Sequence, residues 1–246
     1  MIFRVEGICD LGCVRTNNED HILIHDKVFT NSRKSLDLDV ESPAVFAVAD
    51  GMGGHNAGEV ASEMVLNSLN KWRQTAEPGL MLRGFKHAMD DWLSATHADL
   101  LKATAGDPDL DGMGTTLTGL FFGTKRLYVF NAGDSRLYSY RKGKFKKLTN
   151  DHTVSEVTGQ RGAYSNLLVN CIGATNTPSL EITNITKELS PDTIFLLCSD
   201  GLSNMLPEEE IAYYLGKRDL ISMVEKAKEK GGKDNISAIS IHLKEK

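Results

Sequence analysis

The sequence predicts an α+β chain whose antiparallel sheets are covered by helices. Strand-like segments rich in β-branched and aromatic residues follow one another with short connections. Helical periodicity is confined to two blocks, one in the first half and one near the end, so helices do not alternate one by one with strands as βαβ units require.

In chain order, Ile2 to Ile8, His21 to Phe29 and Ala44 to Ala49 read as strands bounded by Gly, Asp and Asn. From Glu59 to Trp72 the apolar residues Val60, Met64, Val65, Leu69 and Trp72 fall on one stripe, and from Leu80 to Leu101 Phe85, Met89, Trp92 and Leu93 do the same. Four strands follow, Thr115 to Phe122, Arg126 to Asn131, Arg136 to Tyr140 and Thr193 to Ser199. Pro207 with Glu208, Glu209 and Glu210 places a proline and acids in a first helical turn, and the helix from Asp219 to Lys230 stops at Gly231 and Gly232. Asn235 to Leu243 is the last strand. No repeat, low-complexity stretch or linker-like segment interrupts the pattern, which predicts one domain over residues 1–246.

At 246 residues, 41% hydrophobic and 25% charged, the composition is that of an ordinary globular protein with enough core to need no disulfide staples. The longest apolar runs, such as Ile194 to Cys198, fall far short of the roughly 18 residues of a membrane span. The first ten residues show no basic flank, apolar stretch and small-residue cleavage site, so the chain is expected in the cytoplasm. A net charge of −5 disfavours nucleic acid and anionic lipid unless a local basic face compensates. The one such stretch, Arg136 to Lys147, holds six cations and no acid; it reads as a hairpin with a solvated outer face, the alternative being a patch that attracts acidic or phosphorylated partners. Cys9, Cys13, Cys171 and Cys198 lack the paired spacing of a structural zinc site, and Cys171 and Cys198 read as buried strand residues.

Three segments end in an aspartate: Asp50 before Gly51, Asp200 before Gly201, and Asp234 before Asn235. A carboxylate at the end of a buried strand is costly unless something positive compensates it. Any one of them alone reads as a turn or cap residue; three together, with Asp134 and Asp20, point to an oxygen-only site for a hard cation such as Mg²⁺ or Mn²⁺. Gly51 lets the backbone approach closely enough for its carbonyl to serve as a ligand. Arg15 precedes Glu19 and Asp20, and a guanidinium beside carboxylate-held cations suggests a phosphoryl substrate.

The segments GCVRTNNED (Gly12 to Asp20), ADGMGGHNAGEVAS (Ala49 to Ser62), GMGTTL (Gly112 to Leu117), NAGDSRLY (Asn131 to Tyr138), LTNDHT (Leu148 to Thr153), CSDGLSNML (Cys198 to Leu206) and GGKDNIS (Gly231 to Ser237) stand in the order and near the spacing of the metal-dependent Ser/Thr protein phosphatases, the PPM or type 2C family. The sequence resembles that family from about residue 4 to 243, and DGMGGH resembles its bacterial branch. The resemblance implies a four-layer αββα sandwich with a two-cation site at one edge, Mn²⁺ or Mg²⁺, and hydrolysis of phosphoserine and phosphothreonine on proteins by a water held between the cations, without a phosphoenzyme. It also implies that Asp50 bridges the cations, with the Gly51 carbonyl on one and Asp200 and Asp234 on the other. Asp20 through water, and Glu19, complete the shell, Asp134 with Asp200 holds a weaker third cation, and Arg15 grips the phosphate. His55 is a candidate general acid, or else a cap on the helix starting near Asn56. Its partners would be phosphoproteins targeted by a Ser/Thr kinase, with no nucleic acid and no membrane, and the chain would act as a monomer.

Two departures from the family pattern stand out: Asn204 replaces an acid common four positions after Asp200, and the flap between His152 and Asn166 is short. Two other readings remain. Cys9 and Arg15 have the spacing of a cysteine-dependent phosphatase loop, although a strand-like HILIHD rather than a helix follows. A catalytically dead phosphoprotein-binding scaffold of the same fold is the other.

Overall fold

Two antiparallel sheets lie face to face, each covered on its outer side by a helix pair. The computed structural model describes residues 2–40, 43–53, 57–162 and 164–244. In chain order the elements are β1 (Ile2–Asp10), β2 (Asp20–Ile24), β3 (Lys27–Phe29), β4 (Ser32–Asp39), β5 (Ala44–Met52), α1 (Ala57–Thr75), α2 (Leu82–Gly106), β6 (Gly114–Thr115), β7 (Leu117–Phe122), β8 (Leu127–Ala132), β9 (Arg136–Arg141), β10 (Lys144–Lys147), α3 (Val154–Thr158), β11 (Glu181–Asn184), β12 (Ile194–Cys198), α4 (Asp200–Ser203), α5 (Glu208–Lys217), α6 (Leu220–Glu229) and β13 (Ile236–Lys244). Among the described residues one sheet runs β10-β9-β12-β13-β1-β4 and the other β11-β8-β7-β5-β2-β3, with β6 paired to β5. Because β1 pairs with β13, Asp10 opposite Ile236, residues 2–10 and 236–244 lie side by side in one sheet.

Three apolar layers follow from this stacking. Between the sheets, Phe3, Phe46, Phe122 and Phe195 meet with ring centroids 4.9 to 6.2 Å apart, mostly edge to face. Each such pair contributes about 0.5–1.5 kcal/mol beyond the area it buries. Outside one sheet, α1 and α2 bury Val65, Leu69, Phe85 and Met89 against Phe121 and Tyr128. Outside the other, α5 and α6 bury Ile211, Leu215, Met223 and Val224 against Tyr138, Leu196 and Ile236. The four-layer sandwich expected from the family resemblance is thus the observed fold.

Several boundaries differ from the sequence reading. The expected single strand from His21 to Phe29 is a hairpin, β2 and β3, turning at His25, a non-glycine residue at φ 55°. The expected strand from Thr115 to Phe122 is broken at Thr116, whose N–H and hydroxyl are turned to the backbone of Asp50. Cys171 is buried as expected but lies in a loop, where its N–H donates to the Thr175 hydroxyl; Cys198 is in β12. The basic stretch does form a hairpin, β9 and β10. No helix is long and apolar enough to cross a membrane among the described residues.

Candidate active site

At one end of the sandwich the strands of both sheets stop together. Asp50 is near the end of β5 and opposite Asp20 of β2, Asp134 sits in the turn between β8 and β9, Asp200 opens α4 directly after β12, and Asp234 precedes β13. Asp200 therefore starts a helix rather than ending a strand. Arg15, on the loop after β1, reaches Asp234, its Nη2 donating to Oδ2 at 2.7 Å, while the other oxygen of Asp234 accepts the Asn235 N–H at 2.9 Å. Arg15, Asp50, Gly51, Asp134, Asp200 and Asp234 line one open cleft of about 480 Å³.

Close backbone packing fixes these carboxylates. A Cβ on Gly51 would come within 2.0 Å of the Gly58 carbonyl oxygen and 2.6 Å of that of Glu19, so β5, β2 and the first turn of α1 meet only because Gly51 has no side chain. A Cβ on Gly201 would likewise lie 1.9 Å from the Asn235 carbonyl, which ties α4 to the start of β13 and hence Asp200 to Asp234. Thr116 clamps Asp50: its N–H donates to the Asp50 carbonyl at 2.9 Å and its hydroxyl accepts the Asp50 N–H at 3.0 Å. Asn235 crosses from β13 to the Arg15 loop, donating to the Leu11 and Asn17 carbonyls at 2.9 and 3.0 Å and accepting the Glu19 N–H at 2.9 Å.

The electrostatics are those of negative charge gathered out of water. Burial and the neighbouring Asp20, Asp200, Asp134 and Asp234 push the Asp50 carboxyl well above its ordinary range. Burial, opposed by hydrogen bonds from Ser237 and Ser199, still lifts Asp20 to about 7, and burial with Asp200 and Asp151 lifts Asp134 to about 7. Asp200 is raised by burial and by Asp234, and is moderated by a hydrogen bond with Asp50. Two carboxyl groups within hydrogen-bonding reach cannot both ionise cheaply without a shared proton or a cation between them. The donor set is all oxygen and suits Mg²⁺ or Mn²⁺. It is open rather than caged: among the described residues no three His, Cys, Asp or Glu side chains already stand at ligating geometry.

Asp20 pairs with Asp50 across β2 and β5. It is 1% exposed, accepts the Ser199 hydroxyl at 2.9 Å, and is not among the residues that line the cleft. Asn204 not only lacks a charge; its amide donates to Asp200 Oδ2 at 3.0 Å and occupies one of that carboxylate's acceptor positions. His55 lies outside the described residues. Cys9 cannot be a phosphatase nucleophile: it is 2% exposed in the middle of β1, burial pushes its thiol up to about 11, and its Sγ–H donates to the Asp20 carbonyl at 3.3 Å.

Some of the site was invisible in the sequence. Arg136 forks onto Asp151, with Nη2 to Oδ2 at 2.6 Å, and buttresses the turn that carries Asp134. His152 Nδ1 accepts from the Gly133 N–H at 3.2 Å and from Asn170 at 2.8 Å. The Asn170 amide is oriented by the Ser179 backbone, so His152 carries its proton on Nε2, toward Glu181. The His152 N–H and C=O also bind the Gly133 carbonyl and the Val169 N–H, joining the flap ends to the Asp134 turn. The flap itself brings Asn166, Leu167 and Leu168 to the cleft.

The comparisons with known proteins agree with this geometry. The Protein phosphatase 2C family profile matches residues 33–238. The serine/threonine phosphatase stp of Listeria innocua is 31% identical, with 94% of this chain and 92% of that protein aligned. Among solved structures, the serine/threonine phosphatase PstP/Ppp of Mycobacterium tuberculosis superposes over the full length of both chains with a TM-score of 0.80 at 29% identity. A structure of the PstP catalytic domain, 29% identical over 99% of each chain with a TM-score of 0.77, is in complex with two manganese ions. With a profile match over most of its length and full-length relatives sharing its fold, the chain belongs to the protein phosphatase 2C family.

Proposed function

We propose that the cleft is a Mg²⁺- or Mn²⁺-dependent protein-serine/threonine phosphatase centre and that residues 1–246 act as one catalytic domain. The observation that carries the reading is the convergence of Asp50, Asp134, Asp200, Asp234 and Arg15 on one cleft, with the Asp50, Asp134 and Asp200 carboxyls lifted by burial and mutual repulsion that divalent cations would relieve. When bound, two such ions lower the pKa of water between them and neutralise charge developing on the phosphoryl group.

The chain's own residues then divide the work. Asp50, central in the cluster, would be shared by the two ions, with the Gly51 carbonyl contributing to one and Asp200 and Asp234 to the other. Asp20, paired with Asp50 across β2 and β5 and held by the Ser199 hydroxyl, would complete the shell through water. Arg15 presents its guanidinium to two phosphate oxygens, which holds the phosphorus in line with the attacking water. The departing serine or threonine oxygen takes its proton from water in the cleft or from His55. With the oxygen set retained beside Arg15, the site has what hydrolysis needs, which sets the chain apart from an inert scaffold. The substrates are phosphoproteins, targets of a Ser/Thr kinase, met by a monomer in the cytoplasm.

Phosphate release from phosphothreonine and phosphoserine peptides tests this reading. Activity is expected with Mn²⁺ or Mg²⁺ and is abolished by exhaustive chelation; undiminished turnover in chelator would overturn it.

Asp134 and Asp200 make a third, weaker cation position, because Asn204 contributes no charge and ties up Asp200 Oδ2. Activity should therefore rise in two phases with Mn²⁺. Asn204→Asp should move the second phase to lower concentration with the first unchanged, and Asp134→Ala should abolish it. A single phase common to all three proteins would remove the third ion from the account.

A further inference from the structure

The basic hairpin singled out in the sequence takes no part in the chemistry described above, yet its side chains build a groove. On one face of β9 and β10, Arg141 stands directly opposite Lys144, and Ser139 opposite Lys146. The other face, with Tyr138, Tyr140 and Phe145, packs into the α5–α6 layer. Lys187, from the single 3₁₀ turn between β11 and β12, faces the hairpin across a groove of about 460 Å³ that Lys142 and Glu188 complete. Two acids answer these five cations: Glu188 holds Lys146 at 3.1 Å, and Asp192 holds Lys142 at 2.9 Å. The groove is left with an excess of three positive charges on a chain whose net charge is −5.

Lysines on an edge strand such as β10 often serve only to block pairing with another sheet. That explains Lys144 and Lys146. It does not explain why Lys187, from a separate turn, is turned to the same groove, nor why Arg141 is set directly across from Lys144. Like charges opposite one another on paired strands destabilise the ladder, a cost that an anion between them would reverse. The groove also has a defined relation to the cleft. Asp134 lies in the turn that leads into β9 and Arg141 ends that strand, seven residues on in sequence, hence at most about 23 Å at roughly 3.3 Å per residue. An extended peptide covers that distance in about six residues.

We propose that this groove docks an acidic segment of the protein substrate, glutamates, aspartates or a second phosphate about six residues from the phosphoresidue held in the cleft. The inference rests on the phosphatase reading for the second half of that statement; the groove's preference for an acidic peptide is independent of it. Charge complementarity selects the occupant. Arg and Lys side chains in a partly open groove form charge-assisted bonds with carboxylates and phosphates, and because they are exposed the preference falls as salt is raised.

The test uses the full chain and phosphothreonine peptides that differ only in carrying three glutamates or three glutamines centred six residues from the phosphothreonine, on either side. At low ionic strength kcat/KM is expected to favour the glutamate peptide of one polarity about tenfold. The Lys144→Gln/Lys187→Gln double variant, and separately Lys144→Glu, should bring that ratio to within twofold without changing hydrolysis of p-nitrophenyl phosphate. In a second arm, with chelator present, fluorescence anisotropy follows the same peptides with threonine unphosphorylated. Tighter binding of the glutamate peptide, lost in both variants, supports the groove even if no peptide is hydrolysed, an outcome that would overturn the phosphatase reading alone. Equal binding of the two peptides by the wild type, a preference that survives both variants, or a single-stranded RNA bound more tightly than the acidic peptide and lost with the same substitutions would each overturn the proposal.

Discussion

Asp50→Ala is expected to lower turnover of a phosphothreonine peptide by at least about a thousandfold, because it removes several kcal/mol of transition-state charge stabilisation together with the activated water, at about 1.4 kcal/mol per factor of ten. The fold should survive. The bonds that hold this position, from Thr116 N–H and the Thr115 hydroxyl to the Asp50 carbonyl at 2.9 Å each, and from the Asp50 N–H to Thr116 Oγ1 at 3.0 Å, are all made by the backbone of residue 50. The side chain is a burden in the metal-free protein. Its folded pKa is raised above the unfolded value, so the contribution to stability present at low pH is lost as pH rises and the carboxyl ionises in its buried setting. Metal-free Asp50→Ala should therefore be at least as stable as metal-free wild type at neutral pH. Thermal unfolding beside single-turnover kinetics separates the two effects. A variant that loses activity by unfolding would remove the support for Asp50 as a ligand.

Arg15→Ala should cost about ten- to a hundredfold in kcat/KM, the loss of a charge-assisted phosphate contact of roughly 1.5–3 kcal/mol. The structure separates this from a scaffolding role. Arg15 is half exposed and, among the described residues, pairs with Asp234, in an exposed pair of the kind that contributes little to stability. Removing the guanidinium also relieves Asp234 Oδ2 of competition, so cation affinity should hold or rise. Lower kcat/KM with undiminished Mn²⁺ binding is the expected pattern. Unchanged kinetics would refute the phosphate-binding role, and weakened Mn²⁺ binding would mean that Arg15 only positions Asp234.

What the sequence revealed, and what it hid, follow from how far apart the interacting residues lie. The strands of the central layers were legible because they are buried on both faces and read as apolar runs, as in Ala44 to Ala49 and Ile194 to Cys198. β4 was missed. Its sequence SRKSLDLD has no aromatic or β-branched residue, and as an edge strand it turns only Leu36 and Leu38 into the core. α3 and α4, five and four residues long, are too short for any period to show. Within the site, Asp50, Asp134, Asp200 and Asp234 were visible because each sits at the end of a recognisable segment. The contacts that organise them were not: Arg15 meets Asp234 across 219 positions, Glu19 meets Asn235 across 216, and Asp20 meets Ser199 across 179. No local pattern carries such pairings. The same holds for Asp20, whose burial goes with a bond from the Ser199 hydroxyl just after β12.

Calorimetric titration of Mn²⁺ into wild type and into Asp50→Asn, at matched pH and ionic strength, tests most directly whether the cleft carboxylates hold the cation pair that drives hydrolysis. Asparagine keeps the shape and the backbone bonds of residue 50 and removes only the charge. Two tightly bound ions per chain are expected in the wild type, with loss of that tight binding and of phosphopeptide hydrolysis in the variant. Full tight binding of Mn²⁺ by Asp50→Asn, or a wild type that hydrolyses phosphopeptides while binding no Mn²⁺ or Mg²⁺ in this cleft, would contradict that expectation.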